Sequence, residues 1–145
     1  DNAFTRYRLN QHMADYFLNQ RKPEESWRKL DDLTPQLREM EHRYFIGDYD
    51  AVAAIFLEIN LDYLLEWGYI ELVMGWHTKL EGKIRNPILV QKTIGAWGDA
   101  YFDMGNLEMS RQKYTHALSM AREQGDREGE SVWLNDLGII YANLG

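Results

Sequence analysis

The chain reads as all-α, an array of antiparallel helical hairpins, and three observations predict it. From about residue 24 onward, apolar residues recur at steps of three and four with little strict alternation. The three prolines, Pro23, Pro35 and Pro87, each fit the first turn of a helix, where a missing N–H costs nothing. Gly47, Gly68, Gly82, Gly105, Gly125 and Gly145 each stand where an apolar periodic stretch ends, as helix stops do.

In chain order, Phe4-Thr5-Arg6-Tyr7-Arg8-Leu9 alternates weakly and ends at Asn10, a residue able to cap a helix over 11–20. The first ten residues are either a short strand feeding that helix or a frayed end. Pro23 followed by Glu24 and Glu25 places acids at a helix start and predicts 24–32. Thr34-Pro35 opens 35–46, and Gly47-Asp48 turns the chain into 49–59. Shorter apolar stretches predict 61–67 and 70–81. Asn86-Pro87 pairs a capping side chain with proline and opens 87–104; helices over 107–124 and 129–144 follow, the last after a linker at Gly125–Glu130. Short connections make neighbouring helices antiparallel.

Composition narrows the function. The 145 residues contain no cysteine, which removes thiol, zinc-thiolate and iron–sulfur chemistry. A net charge of -7 argues against direct nucleic-acid binding and favours a basic partner. The first 46 residues hold 8 positive and 8 negative side chains, residues 47–90 hold 3 and 7, and residues 91–145 hold 5 and 8, so the acidity lies in the last two thirds. No apolar run approaches the ~20 residues of a membrane-spanning helix, and no basic-then-apolar leader opens the chain. The expectation is a soluble, cytoplasmic protein.

An internal repeat carries the most information. Ile94, Trp97, Gly98, Tyr101, Met104 and Gly105 recur 40 residues later as Leu134, Leu137, Gly138, Tyr141, Leu144 and Gly145. Amphipathicity alone returns apolar residues, not glycine and tyrosine in register. Gly98 and Gly138 fall in helix interiors, where glycine costs ~1 kcal/mol relative to alanine, so the close approach of a partner helix backbone is expected to offset them. Tyr101 and Tyr141, three residues on, fill the space beside that contact. Ser110, Tyr114 and Ala117 form a small–large–small ridge that packs back.

Trp97-Gly98, Tyr101, Gly105, Ser110, Tyr114 and Ala117 resemble the tetratricopeptide (TPR) repeat. The period of 40 exceeds the usual ~34, and the excess falls at Gly125–Glu130, as in long-repeat TPR variants. Upstream, Gly47-Asp48-Tyr49-Asp50 with Val52, Phe56 and Ile59, and then Gly68, Val73, His77 and Leu80, follow the same pattern in degenerate form. Tyr7-Arg8-Leu9-Asn10 and Met13-Ala14-Asp15-Tyr16-Phe17-Leu18 resemble the end of the winged-helix module of STAND-class signalling ATPases, with Asn10 where members commonly carry histidine. The resemblance implies a short right-handed TPR-like solenoid. It divides the chain into a winged-helix-like end or frayed terminus (1–22), degenerate hairpins (23–85), and one full repeat plus the first helix of the next (86–145). The chain then reads as a piece of a longer protein, able to self-associate end to end through its last helix.

Candidate chemistry is sparse. Glu39 and His42 form one Glu-x-x-His step, half of what a di-iron bundle needs, and no second copy exists. His77 occupies an aromatic slot and reads as a core residue. No nucleophile elbow, phosphate loop or zincin motif is present. The expectation is no enzyme, no metal and no cofactor. Trp27, Trp67, Trp76, Trp97 and Trp133 read as interhelix packing. In a TPR stack the first helix of each hairpin lines the concave face. The resemblance therefore points Lys92, Asp99, Phe102 and Asp103 inward from one repeat, and Asn135, Ile139 and Asn143 from the next, with Arg127 at the rim. Such a surface suits a protein or peptide partner. The expected function is a non-catalytic interaction segment of a larger regulator. The alternatives are a receptor for a short signalling peptide or small ligand, and a carboxylate–histidine metalloenzyme built on Glu39 and His42.

Overall fold

A computed structural model describes residues 2–144; among them all regular structure is helical and no strand occurs. The chain divides into two compact units, residues 1–59 and 60–145. The five predicted glycine stops at 47, 68, 82, 105 and 125 all take φ between +68° and +89°, the left-handed geometry that ends a helix. Gly145 lies outside the described residues. No helix among those described is long and apolar enough to cross a membrane.

The first unit contains α1 (Asn2–Leu18), two single 3-10 turns (Glu24–Ser26 and Leu30–Leu33), α2 (Thr34–Phe45) and α3 (Tyr49–Ile59). α1 packs on α2 and α2 on α3. The structure differs from the sequence expectation twice here. Residues 2–10 are neither strand nor frayed coil. They continue α1, because Asn10 does not cap: its amide Nδ2 donates to the Arg6 carbonyl one turn back, at 2.8 Å. The helix expected over 24–32 is broken by side chains that outbid the helical backbone. The Asp32 carboxylate accepts from the amides of Arg28 and Lys29 at 2.9 and 3.1 Å and from Lys22 Nζ at 2.8 Å. The Lys22 bond and the Arg28 amide hold its carboxyl down at about 2. The Trp27 indole N–H donates to the Lys22 carbonyl at 3.0 Å, closing the loop from the other side.

The second unit contains a π-helical turn (Asn60–Leu65), α4 (Ile70–Leu80), α5 (Pro87–Asp103), α6 (Leu107–Gln124) and α7 (Arg127–Leu144). The helix expected over 61–67 is thus a wide π turn. Asn86 caps α5 as expected, accepting from the amides of Ile88 and Leu89 with Pro87 beside it, whereas Thr34 is already the first residue of α2 and caps nothing. Asn106, unmarked in the sequence reading, caps α6 by accepting from Met109. The expected linker at Gly125–Glu130 shrinks to Gly125 and Asp126, because Asp126 caps α7 by accepting from the Gly129 amide at 2.9 Å. α7 therefore starts two residues earlier than expected, and α6 and α7 are 18 residues each.

α5 packs on α4 and α6, and α6 on α7. Trp133 of α7 and Tyr114 of α6 stack at 6.0 Å in a core completed by Ala117, Leu118, Ala121, Leu137 and Ile140. Fully buried Gln91 ties the helices together. Its amide donates to Gln124 and Asp126, at 2.9 and 3.0 Å, and its carbonyl accepts the Trp133 indole N–H at 2.9 Å. Every polar atom of that buried side chain is satisfied, so the group specifies how α5 meets the α6–α7 turn without a desolvation cost.

Candidate functional site

The site grows from the middle of α5. Gly98 is buried, and a Cβ built there would stand 2.7 Å from two ring carbons of Tyr114 and 3.3 Å from Lys113 Cβ. The expectation of a partner helix backbone at this glycine is corrected: what occupies the space is the Tyr114 ring. Ser110 supports the approach by donating its hydroxyl to the Gly98 carbonyl at 2.8 Å. Lying across the glycine, the Tyr114 ring carries its hydroxyl to Asp99, which accepts at 2.5 Å.

Asp99 forms part of the wall of a pocket of about 230 Å³. α5 contributes Asp99, Phe102 and Asp103, α7 contributes Asp136 and Ile139, and the π turn and its exit contribute Leu61, Leu65 and Glu66. Among the described residues, none of the ion pairs involves Asp99, Asp103, Asp136 or Glu66. Burial pushes the Asp99 carboxyl up to about 6, with the Asp136 charge adding and the Tyr114 hydrogen bond opposing. Burial likewise raises Asp136, and together with the Asp99 charge it raises the Tyr114 hydroxyl well above the usual phenol range. The pocket is thus a partly desolvated negative recess between apolar walls, shaped for a cationic group on an aliphatic stem.

Of the expected inward-facing residues, Asp99, Phe102, Asp103 and Ile139 meet in this pocket. Lys92 does not; it lines a separate recess with Asp126, Gly129 and Trp133. Asn135 and Asn143 are exposed on α7 and line no part of it, Asn143 donating to the Ile139 carbonyl of its own helix at 2.8 Å. Asp136 stands three residues before Ile139, a spacing that makes the two neighbours on one helix face, and that spacing is the signal in the sequence for its place in the pocket. Leu61, Leu65 and Glu66 had no such signal, since the π turn brings them in from outside the repeat. Arg127 is exposed at the start of α7.

The expected packing residues divide by repeat. Trp97 stacks between His77 at 5.2 Å and half-buried Tyr101 at 6.3 Å, while Tyr114 and Ala117 are buried and Gly105 ends α5. Leu137 is buried, but Gly138 has nothing within 4 Å of a would-be Cβ, and Tyr141 is 56% exposed. Gly138 and Tyr141 therefore do not pack as expected. The helix that covers Gly98 in the first copy of the pattern has no counterpart here among the described residues. Instead Trp133, outside the repeat register, anchors α7 in the core.

In the first unit, Glu39 is 2% exposed and both its carboxylate oxygens are taken, by Arg21 and Arg43 at 2.7 Å each. His42 Nδ1 lies 2.7 Å from the side-chain amide oxygen of Asn10, and its ring stacks on Phe17. Glu39 and His42 are thus committed to structural partners, and no group of three or more His, Asp or Glu side chains among the described residues is placed to hold a metal ion. Set against protein-family models, curated proteins and solved structures, the chain matches none.

Proposed function

We propose that the protein is a non-catalytic binding module, a TPR-type segment of a larger STAND-like regulator. Its acidic pocket holds a lysine or arginine side chain of a partner peptide while apolar neighbours of that side chain lie on Phe102, Leu61 and Ile139. The observation that carries this reading is Asp99, a half-buried carboxylate beside Asp136 that makes no ion pair among the described residues. An unpaired buried carboxylate is costly, and an incoming cation offsets that cost at the moment of binding. Supporting the repeat reading are the 40-residue register of Gly98 and Gly138 and the long paired helices α5 and α6. Binding would act on the parent by favouring the conformation in which the pocket is open, without bond chemistry.

The test is a fluorescence-polarisation titration with labelled peptides in which one arginine or lysine is flanked by leucines. Charge-assisted hydrogen bonds are worth roughly 1.5–3 kcal/mol, so Asp99→Asn, which keeps the Tyr114 hydrogen bond, should weaken binding by about tenfold or more and flatten its salt dependence. Equal binding of a norleucine-substituted peptide sinks the reading.

A further inference from the structure

The second unit holds another cavity, of about 310 Å³, bounded by the end of α4, the connection after it, α5 and α6. Its chemistry is the opposite of the acidic pocket's. One side is an aromatic stack, His77 lying parallel to Trp97 at 5.2 Å with 4° between the rings, and Leu80, Ile84, Val90 and Ile94 supply aliphatic walls. α6 adds two basic side chains one turn apart, Lys113 and His116. The Lys113 ammonium lies 3.9 Å over the Trp97 ring and makes no ion pair among the described residues. Glu81 is the only carboxylate lining the cavity among those residues; it is exposed and leaves Lys113 unpaired.

In a chain of net charge -7, a lysine that faces an apolar cavity and rests on an indole instead of a carboxylate is out of keeping with its surroundings. Cation–π contact holds the ammonium in place but leaves its N–H donors available to a ligand. Burial and the Lys113 charge hold His77 down at about 3, so its ring enters the wall as a neutral aromatic surface. One full positive charge, a flat aromatic face and aliphatic walls select a small organic monoanion. The volume is at the lower end of the range of small-molecule pockets, about 300–1,000 Å³, which suits a single ring or a short chain and excludes a nucleotide.

We infer that this cavity is a binding site for a small aromatic or short-chain carboxylate, whose apolar body lies against Trp97 and Ile94 and whose carboxylate is held by Lys113. The site shares only α5 and α6 with the acidic pocket and requires no peptide. It gives the module a second, independent ligand of opposite charge.

The experiment titrates the isotopically labelled full chain with phenylacetate, with neutral phenylacetamide and with phenethylamine, following amide shifts by NMR. Phenylacetate should saturate with a dissociation constant on the order of 1 mM, as its size allows, shifting amides near His77, Ile94 and Lys113. It should bind at least ~5-fold tighter than the amide, and the amine should shift the amides of this cavity least. Lys113→Met, which keeps an apolar stem on Trp97, should equalise acid and amide while leaving the thermal transition in place. Ile84→Trp, filling the cavity from the connection, should abolish both, and Asp99→Asn should change neither. The inference is overturned if the amide binds as well as the acid, if Lys113→Met keeps the preference, if no saturation is reached, or if the shifts map to the acidic pocket.

Discussion

Gly98 and Gly138 occupy the same place in two copies of one pattern, yet alanine should act on them with opposite sign. At Gly98 the new methyl would lie 2.7 Å from the Tyr114 ring and 3.3 Å from Lys113 Cβ. Tyr114 has little room to retreat, because it is 3% exposed, stacked on Trp133 and hydrogen-bonded to Asp99. Overpacking of this kind costs about 1–3 kcal/mol, and loosening the Tyr114–Asp99 bond adds about 1 kcal/mol. The helix-propensity gain of alanine offsets ~1 kcal/mol. Gly98→Ala should therefore destabilise the second unit by about 1–3 kcal/mol. At Gly138 no atom lies within 4 Å, so only the propensity term remains and Gly138→Ala should stabilise by up to ~1 kcal/mol. Urea unfolding of the intact chain, followed by tryptophan fluorescence and far-UV circular dichroism, measures both from the midpoint at unchanged slope. A Gly98→Ala chain as stable as the parent, or a Gly138→Ala chain as damaged as Gly98→Ala, would refute the reasoning.

Three other outcomes follow from the same geometry. Gly95→Ala would drive a methyl into the Trp133 ring, which is pinned through its indole N–H to Gln91, and the loss should be about 3 kcal/mol or more in the same urea experiment. Arg43→Leu removes one of two guanidinium partners from the buried Glu39 carboxylate; breaking buried pairs costs about 3–5 kcal/mol, and with Arg21 remaining the lower end of that range is expected in thermal unfolding. Acidification tests the two perturbed groups. Asp99 titrates near 6 in the fold against 3.8 unfolded, so it takes up its proton first in the folded state and adds stability as pH falls from 7 toward 4. His77, held near 3 against 6.5, does the reverse, since the unfolded chain binds the proton that the fold refuses. The two oppose each other in the parent chain. Asp99→Asn removes the compensating group, so its loss of stability between pH 7 and 5 should exceed the parent's by about 1 kcal/mol.

How much was legible in the sequence depended on the range over which each feature is decided. Most starts and stops from α2 to α6 were readable because Pro35, Asn86, Pro87 and the positive-φ glycines act within one turn of themselves. The ridge Ser110–Tyr114–Ala117 and the core place of His77 were readable from spacing, and both are buried. The break at 24–32 was hidden because Asp32 is an ordinary helix-surface residue until its carboxylate captures two amides and Lys22. Four of the seven expected groove residues reach the pocket, and the rest of its wall comes from a π turn and its exit more than 30 residues upstream of Asp99 and from Asp136, which only its spacing to Ile139 marks. Tyr141 shows the limit of the repeat itself: identity of register puts it on the right face, but burial requires a partner on that face, and it is 56% exposed.

The account's central claim is that Asp99 and its neighbours receive a cationic side chain on an apolar stem. The most direct measurement is a two-dimensional amide NMR titration of the full chain with the arginine–leucine peptide and its norleucine twin. The account predicts saturable shifts at Asp99, Phe102, Asp136 and Ile139 with the arginine peptide, weak or absent shifts with the twin, and an arginine peptide weakened by about tenfold or more toward the twin in Asp99→Asn. Equal shifts with the two peptides, or arginine-dependent shifts confined to residues away from this pocket, would contradict it.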